Sequence, residues 1–177
     1  MSTAGPLRVA ILGAESSGKS TLAAALAARY GTLWVPEYLR EFVEERQRVP
    51  RADEQFLIAG MQLRREDEAA PRAGKFLFCD TTPLMTAVYS GYYFHGADAG
   101  LEALAARHDY AFTLVAAPDT PWQADGLQRD SADARQAVHQ RLLDELRRRG
   151  FPYLLLRGDL PERLAQAGQL LNTSSHL

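Results

Sequence analysis

Cysteine and lysine are the scarce residues of this 177-residue chain: Cys79 stands alone, and Lys19 and Lys75 are outnumbered by 18 arginines. A single cysteine excludes an intramolecular disulfide and any cysteine-rich metal site. Long apolar runs are also missing, and none approaches the roughly 20 residues that span a bilayer. Residues 1–6 are short and polar, without a basic stretch leading into an apolar one. No membrane partner or secretory leader is expected, and the chain reads as cytoplasmic. The triplet Asn172-Thr173-Ser174 is then a chance match to a glycosylation acceptor. The formal net charge of -2 offers no general attraction to nucleic acid, which is therefore not an expected partner. Repeats, low-complexity tracts and domain-splitting linkers are lacking too, so residues 1–177 read as one domain whose oligomeric state the sequence leaves open.

What is present alternates short apolar runs with helical patterns. Strands are expected at 7–12, 33–35, 76–80, 110–116 and 153–156. The alanine-rich stretch after Lys19 forms a helix that ends at Gly31. Further helices are expected at 37–48, from about Asp53, from Thr82 or Pro83 to Phe94, and at 101–107, 134–149 and 161–171. In the helix from Asp53, Phe56, Gly60 and Leu63 should share the inward face, with Leu57 and Met61 flanking, and 64–68 should be solvated. Residues 118–133 carry Pro, Gly and Asp and read as an exposed, mobile loop. The pattern predicts an α/β fold: a five-stranded parallel sheet with helices on both faces.

Gly13-Ala14-Glu15-Ser16-Ser17-Gly18-Lys19-Ser20 fits the pattern G-x-x-x-x-G-K-[S/T] of a phosphate-binding loop, between a buried strand and a helix. The glycines permit close backbone approach to a phosphate, and the N–H groups with the helix N-terminus form an anion nest. Lys19, in a chain that otherwise prefers arginine, is a compact charge for the β- and γ-phosphates. Ser20 is placed for magnesium. Gly13, Glu15, Ser16, Ser17, Gly18, Lys19, Ser20 and Thr21 are thus the candidate ATP-binding residues, with Arg163 a candidate for packing against adenine.

A GTPase would carry a guanine-reading Asn-Lys-x-Asp after the fourth strand, where this chain has Ala116-Ala117-Pro118-Asp119. A small-molecule kinase instead needs carboxylates at strand ends and an arginine-bearing lid. Glu37 follows the second strand and Asp80 ends the third. One can accept the acceptor hydroxyl's proton while the other, Asp80 with Ser20 in our assignment, holds magnesium. Each is also a possible helix N-cap. In the lid, Arg129 can cap the transferring phosphoryl group or be a surface arginine. Arg40 can serve the site or pair with Glu44.

Four segments together resemble a known family: Gly-Ala-Glu-Ser-Ser-Gly-Lys-Ser-Thr (13–21), Val-Pro-Glu-Tyr-Leu-Arg-Glu (35–41), Phe-Cys-Asp-Thr (78–81) and Pro-Trp-Gln-Ala-Asp-Gly (121–126). In order and spacing they are similar to the nicotinamide-riboside kinase domain of NadR-like NAD-salvage proteins, AAA-type NTPase-like P-loop kinases. The resemblance implies transfer of the ATP γ-phosphate to the ribose 5′-hydroxyl of nicotinamide riboside. It places Glu37, Tyr38, Arg40 and Asp80 at the acceptor, with Trp122 and Asp125 at the lid. Larger members also carry a nucleotidyltransferase domain, so the resemblance covers the kinase step alone. The lid reads Asp-Gly-Leu-Gln-Arg, one residue longer than the Asp-Gly-x-Arg of some members. Tyr38, Tyr89, Tyr92, Tyr93 and Trp122 offer aromatic faces to a pyridinium ring, or core packing on a helix. Alternatives are a kinase of another nucleoside or small metabolite, and an ATP-binding regulatory module.

Overall fold

The computed structural model describes residues 4–123 and 131–176. Strands β1 (Leu7–Leu12), β2 (Leu33–Val35), β3 (Phe76–Asp80), β4 (Phe112–Ala116) and β5 (Leu154–Leu156) form one sheet in the order β2-β3-β1-β4-β5, with every neighbouring pair parallel. The helices are α1 (Lys19–Tyr30), α2 (Tyr38–Arg46), α3 (Gln55–Ala69), α4 (Pro83–Phe94), α5 (Ala99–Arg107), α6 (Ala132–Arg149) and α7 (Leu160–Asn172).

Alternation along β1 explains the layering. Val9 and Ile11 point to one face and join Leu22 and Leu26 of α1, Ala167 and Leu171 of α7, and Phe76 and Phe78. Ala10 and Leu12 point to the other, with Leu84 and Val88 of α4, Leu101 of α5, and Val138 and Leu142 of α6. A strand covered on both faces must be apolar throughout, which is why the run was continuous. The expected fold class is the observed one.

The α3 face is a correction. Phe56 and Leu57 are 46% and 54% exposed, whereas Gln55, Ile58, Ala59, Gln62, Glu66 and Ala69 are buried. Nor is 64–68 wholly solvated, because Glu66 is fully buried. The inward face mixes Ile58, Ala59 and Ala69 with polar residues that meet hydrogen-bonding partners: strand-end backbone at Gln62 and the Tyr110 hydroxyl at Glu66. Apolar count alone therefore pointed the helix the wrong way.

Smaller differences lie at helix starts, where side chains set the boundary. Asp98 accepts from the Leu101 N–H, so α5 begins at Ala99. Ser131 accepts from the Ala134 N–H, so α6 begins at Ala132.

Candidate functional site

The carboxyl ends of β1, β2 and β3 converge beside the turn between β1 and α1. β1 is the first strand and the central one, so its turn lies where the chain reverses direction across the sheet, the usual ligand position in open α/β folds. Gly18 caps α1 with φ 85° and supplies no side chain to its first N–H groups, which stay available for an anion. A Cβ on Gly13 would stand 2.7 Å from the Ser17 Oγ and 3.0 Å from the Ala116 carbonyl, so only glycine lets the loop turn this tightly. The Ser17 hydroxyl donates to the Ala14 carbonyl at 2.6 Å. Above the loop lies an open volume of about 480 Å³, lined by residues 16–21 with Arg40, Thr120, Pro121 and Gln123.

Lys19 lies almost wholly inside the protein, with its Nζ 4.0 Å from the Glu37 carboxylate. Burial works against its charge, but Glu37 and Asp80 outweigh that and hold its pKa above the ordinary lysine value. For Glu37 burial is the larger cause; Lys19 opposes it and Asp80 adds to it, leaving the carboxyl above its ordinary range. Lys19 and Arg40 together do not offset burial and the neighbouring Asp80, so Glu37 is pushed toward the protonated form. The Ser20 hydroxyl donates to Asp80 Oδ2 at 2.6 Å, while Asp80 Oδ1 is buried with no hydrogen-bond partner.

Neither acid is a capping side chain. Glu37 occupies the N-cap position of α2 without a capping hydrogen bond, and α4 is preceded by Thr82 rather than Asp80. Thr81, next to Asp80, has φ 74°, an unfavourable angle for a β-branched residue. Its buried hydroxyl and Glu37 line a cavity of about 20 Å³ with Leu39, Gln55, Ile58, Gln62, Thr86 and Tyr89.

The other expected residues separate. Glu15 and Ser17 are buried in the loop wall, and Thr21 is exposed on the first turn of α1. Arg40 borders the open volume over the loop. The Tyr38 ring turns away, under the Arg65 guanidinium at 4.8 Å and edge-on to Phe42 at 6.5 Å. Trp122 is exposed. Asp125 and Arg129 lie outside the described residues. Arg163 is buried as a strut: its guanidinium donates to the carbonyls of Gly158, Ser17 and Ala117 at 3.0, 2.5 and 2.9 Å and to Asp119 at 2.6 Å. Of the aromatic run, Tyr89 reaches the small cavity, while Tyr92 packs edge-on to Tyr93.

Two residues escaped the sequence reading. Arg135 of α6 is 6% exposed and donates to the Ser16 carbonyl at 3.2 Å, where the Thr120 hydroxyl also donates. Gln62 of α3 contacts both strand ends that carry the acids. No short motif marks either one. The available signal was a polar side chain at a periodic helix position.

The donor set suits a magnesium ion. A hydroxyl and a carboxylate with a free oxygen stand beside the loop, and such an ion takes its remaining ligands from phosphates and water. Among the described residues no cluster of three or more His, Cys, Asp or Glu side chains forms a self-sufficient metal cage. No helix of the described residues is long and apolar enough to cross a membrane.

A family model described as an AAA domain matches residues 8–163. The trifunctional NAD biosynthesis/regulator protein NadR of Salmonella typhimurium strain LT2 is 31% identical over 143 residues, covering 78% of this chain and 35% of its own length. The chain thus spans about a third of that curated relative. A solved structure of NadR in complex with NR superposes with a TM-score of 0.76 at 19% identity, covering 93% of this chain and 49% of that one. A deoxyadenosine kinase from M. mycoides, with dCMP and a flexible dCDP bound, gives 0.63 at 11% identity, covering 96% of this chain and all of that one. At those identities the two structures establish a shared fold.

Proposed function

The chain belongs to the AAA domain family, and from that premise we propose that it is an ATP-dependent kinase of nicotinamide riboside, transferring the γ-phosphate to the ribose 5′-hydroxyl to give nicotinamide mononucleotide. The observation that carries the reading is the meeting of Lys19 and Ser20, from the start of α1, with Glu37 and Asp80, from the ends of β2 and β3, in one largely buried cluster beside the phosphate loop. The sequence similarity to NadR favours nicotinamide riboside among possible acceptors. A single kinase domain acting in the cytoplasm belongs to the same proposal.

The residues then divide the work. The loop N–H groups and Lys19 bind the β- and γ-phosphates, and Lys19 balances charge that develops as the phosphoryl group moves. Ser20 and Asp80 would hold magnesium, which when bound supplies further charge neutralisation at the phosphates. Glu37, held above its ordinary carboxyl pKa, is suited to accept the proton of the attacking hydroxyl. The cavity beside it, about 20 Å³, has room for about one water-sized group. The described residues lining it include no lysine or arginine, which favours an uncharged 5′-hydroxyl over a nucleoside monophosphate.

ADP release measured with ATP, magnesium and a panel of nicotinamide riboside, uridine, thymidine and their monophosphates tests the proposal. Nicotinamide riboside should give the highest kcat/KM and the monophosphates none. Lys19→Met should lower that rate at least ~100-fold. Equal turnover of nicotinamide riboside and uridine would refute the acceptor assignment.

A further inference from the structure

Gln62 is 3% exposed and has no role above beyond lining the small cavity. Its carboxamide oxygen accepts from the Tyr38 N–H at 2.9 Å, and its amide nitrogen donates to the Pro36 carbonyl at 3.3 Å and the Asp80 carbonyl at 3.2 Å. Pro36 and Tyr38 flank Glu37, and the third partner is the backbone of Asp80 itself. One side chain thus grips the main chain at both acids.

The sheet explains why such a grip is needed. β2 and β3 pair in register as far as Val35↔Cys79. The next residues are Pro36, which has no N–H to extend the ladder, and Asp80. Beyond that point the β2–β3 ladder supplies no donor between the Pro36 and Asp80 carbonyls, and Asp80 is held only on its other side, by pairing with Ile11 of β1. Joining them takes two N–H donors on one nitrogen, and holding Tyr38 takes an acceptor on the same group. A primary amide offers both, whereas a carboxylate, hydroxyl or ammonium does not.

We propose that Gln62 is a positioning residue that supplies this missing rung, fixing the separation and aim of Glu37 and Asp80 for phosphoryl transfer. The inference rests on the kinase reading. Both amide hydrogens are committed to backbone, so Gln62, although it lines the small cavity, has no N–H left for the acceptor and acts through the two acids. Its depth in α3 explains why a polar residue occupies an inward helix position.

Two variants separate positioning from mere packing. Gln62→Glu keeps the shape and the acceptor for Tyr38 but sets an oxygen against two carbonyls. Gln62→Met keeps the volume and removes every polar contact. Phosphoryl transfer to nicotinamide riboside is followed for both variants and wild type from about pH 5.5 to 8.5, alongside thermal unfolding and affinity for a non-hydrolysable ATP analogue. Both variants should lose kcat about 10- to 100-fold while analogue affinity stays within about two-fold. In Gln62→Glu the activity relative to wild type should recover toward acid pH, as the introduced buried carboxyl gains a proton and with it one donor. In Gln62→Met that ratio should be flat.

An active wild type with both variants within two-fold of it would overturn the inference alone. So would a loss of kcat matched by lost analogue affinity, a pH-independent ratio in Gln62→Glu, or failure of both variants to fold. A wild type inactive on every acceptor would remove the kinase reading, and this inference with it.

Discussion

Two buried glutamates have opposite settings in this protein. Glu37 faces an ammonium and a second acid at the site, whereas Glu66 lies on the far side of β3 with the Cys79 thiol and the Tyr110 hydroxyl. That hydroxyl donates to both carboxylate oxygens, at 2.7 and 2.8 Å. Burial dominates at Glu66, and its pKa is raised from 4.5 to about 7. An acid with a raised folded pKa keeps its proton in the native state while the unfolded chain has lost it. Stability should therefore fall as pH rises from about 4.5 to about 7, and level off above that range. Glu66→Gln removes the ionisation. Its melting temperature relative to wild type should improve between acidic and mildly alkaline pH, by the equivalent of roughly 3 kcal/mol at most. Thermal unfolding across that range checks this, and a pH-independent difference would show that the Glu66 carboxyl has the same pKa in the folded and unfolded chain.

At the scale of elements, the phosphate loop is tied to its neighbours by Arg163, which links the turn after β1 to the ends of β4 and β5. Asp119 completes the clip by accepting from the Gly158 N–H at 2.8 Å. Burial opposes ionisation of Asp119, but the Gly158 and Arg163 contacts outweigh it and hold the carboxyl below the usual range. Arg163→Met would strand three carbonyls and one partly exposed carboxylate. We expect a loss of about 2–3 kcal/mol in chemical denaturation and weaker binding of an ATP analogue by calorimetry. Arg163→Lys should not rescue it, because one ammonium nitrogen cannot reach acceptors spread around a planar fork. Unchanged stability in Arg163→Met would rule out the strut. α3 shows the complementary case: its polar residues face inward because backbone ends await them.

For the whole molecule, the order β2-β3-β1-β4-β5 brings ends from separate parts of the chain to one edge of the sheet. The nucleotide site is therefore assembled only on folding, and a ligand that binds it stabilises the native state alone. Saturating an ATP analogue at about 100 times its Kd should add about 2.7 kcal/mol. For a chain of this size that is roughly 5–10 °C in Tm. Differential scanning fluorimetry with and without analogue measures it; Lys19→Met should reduce the shift, and an unchanged wild-type Tm would exclude the proposed nucleotide site.

The sequence by itself determined the sheet class, the phosphate loop and the two strand-end acids, because each is a local pattern: period, glycine placement, or an acid after an apolar run. The AAA domain match and the similarity to NadR agree with the family resemblance and the P-loop class. Only the tertiary structure decided which way α3 faces, that Arg163 clips backbone together, that Arg135 reaches Ser16, and that Gln62 bridges Pro36 and Asp80. Apart from the Arg163–Gly158 bond, those contacts join residues from 18 to 146 positions apart. Their partners are mainly backbone carbonyls, which every residue carries and no sequence pattern marks. The phosphate loop could be read from eight consecutive letters, whereas the geometry of the acids opposite it depends on hydrogen bonds that exist only once β2, β3 and α3 have packed.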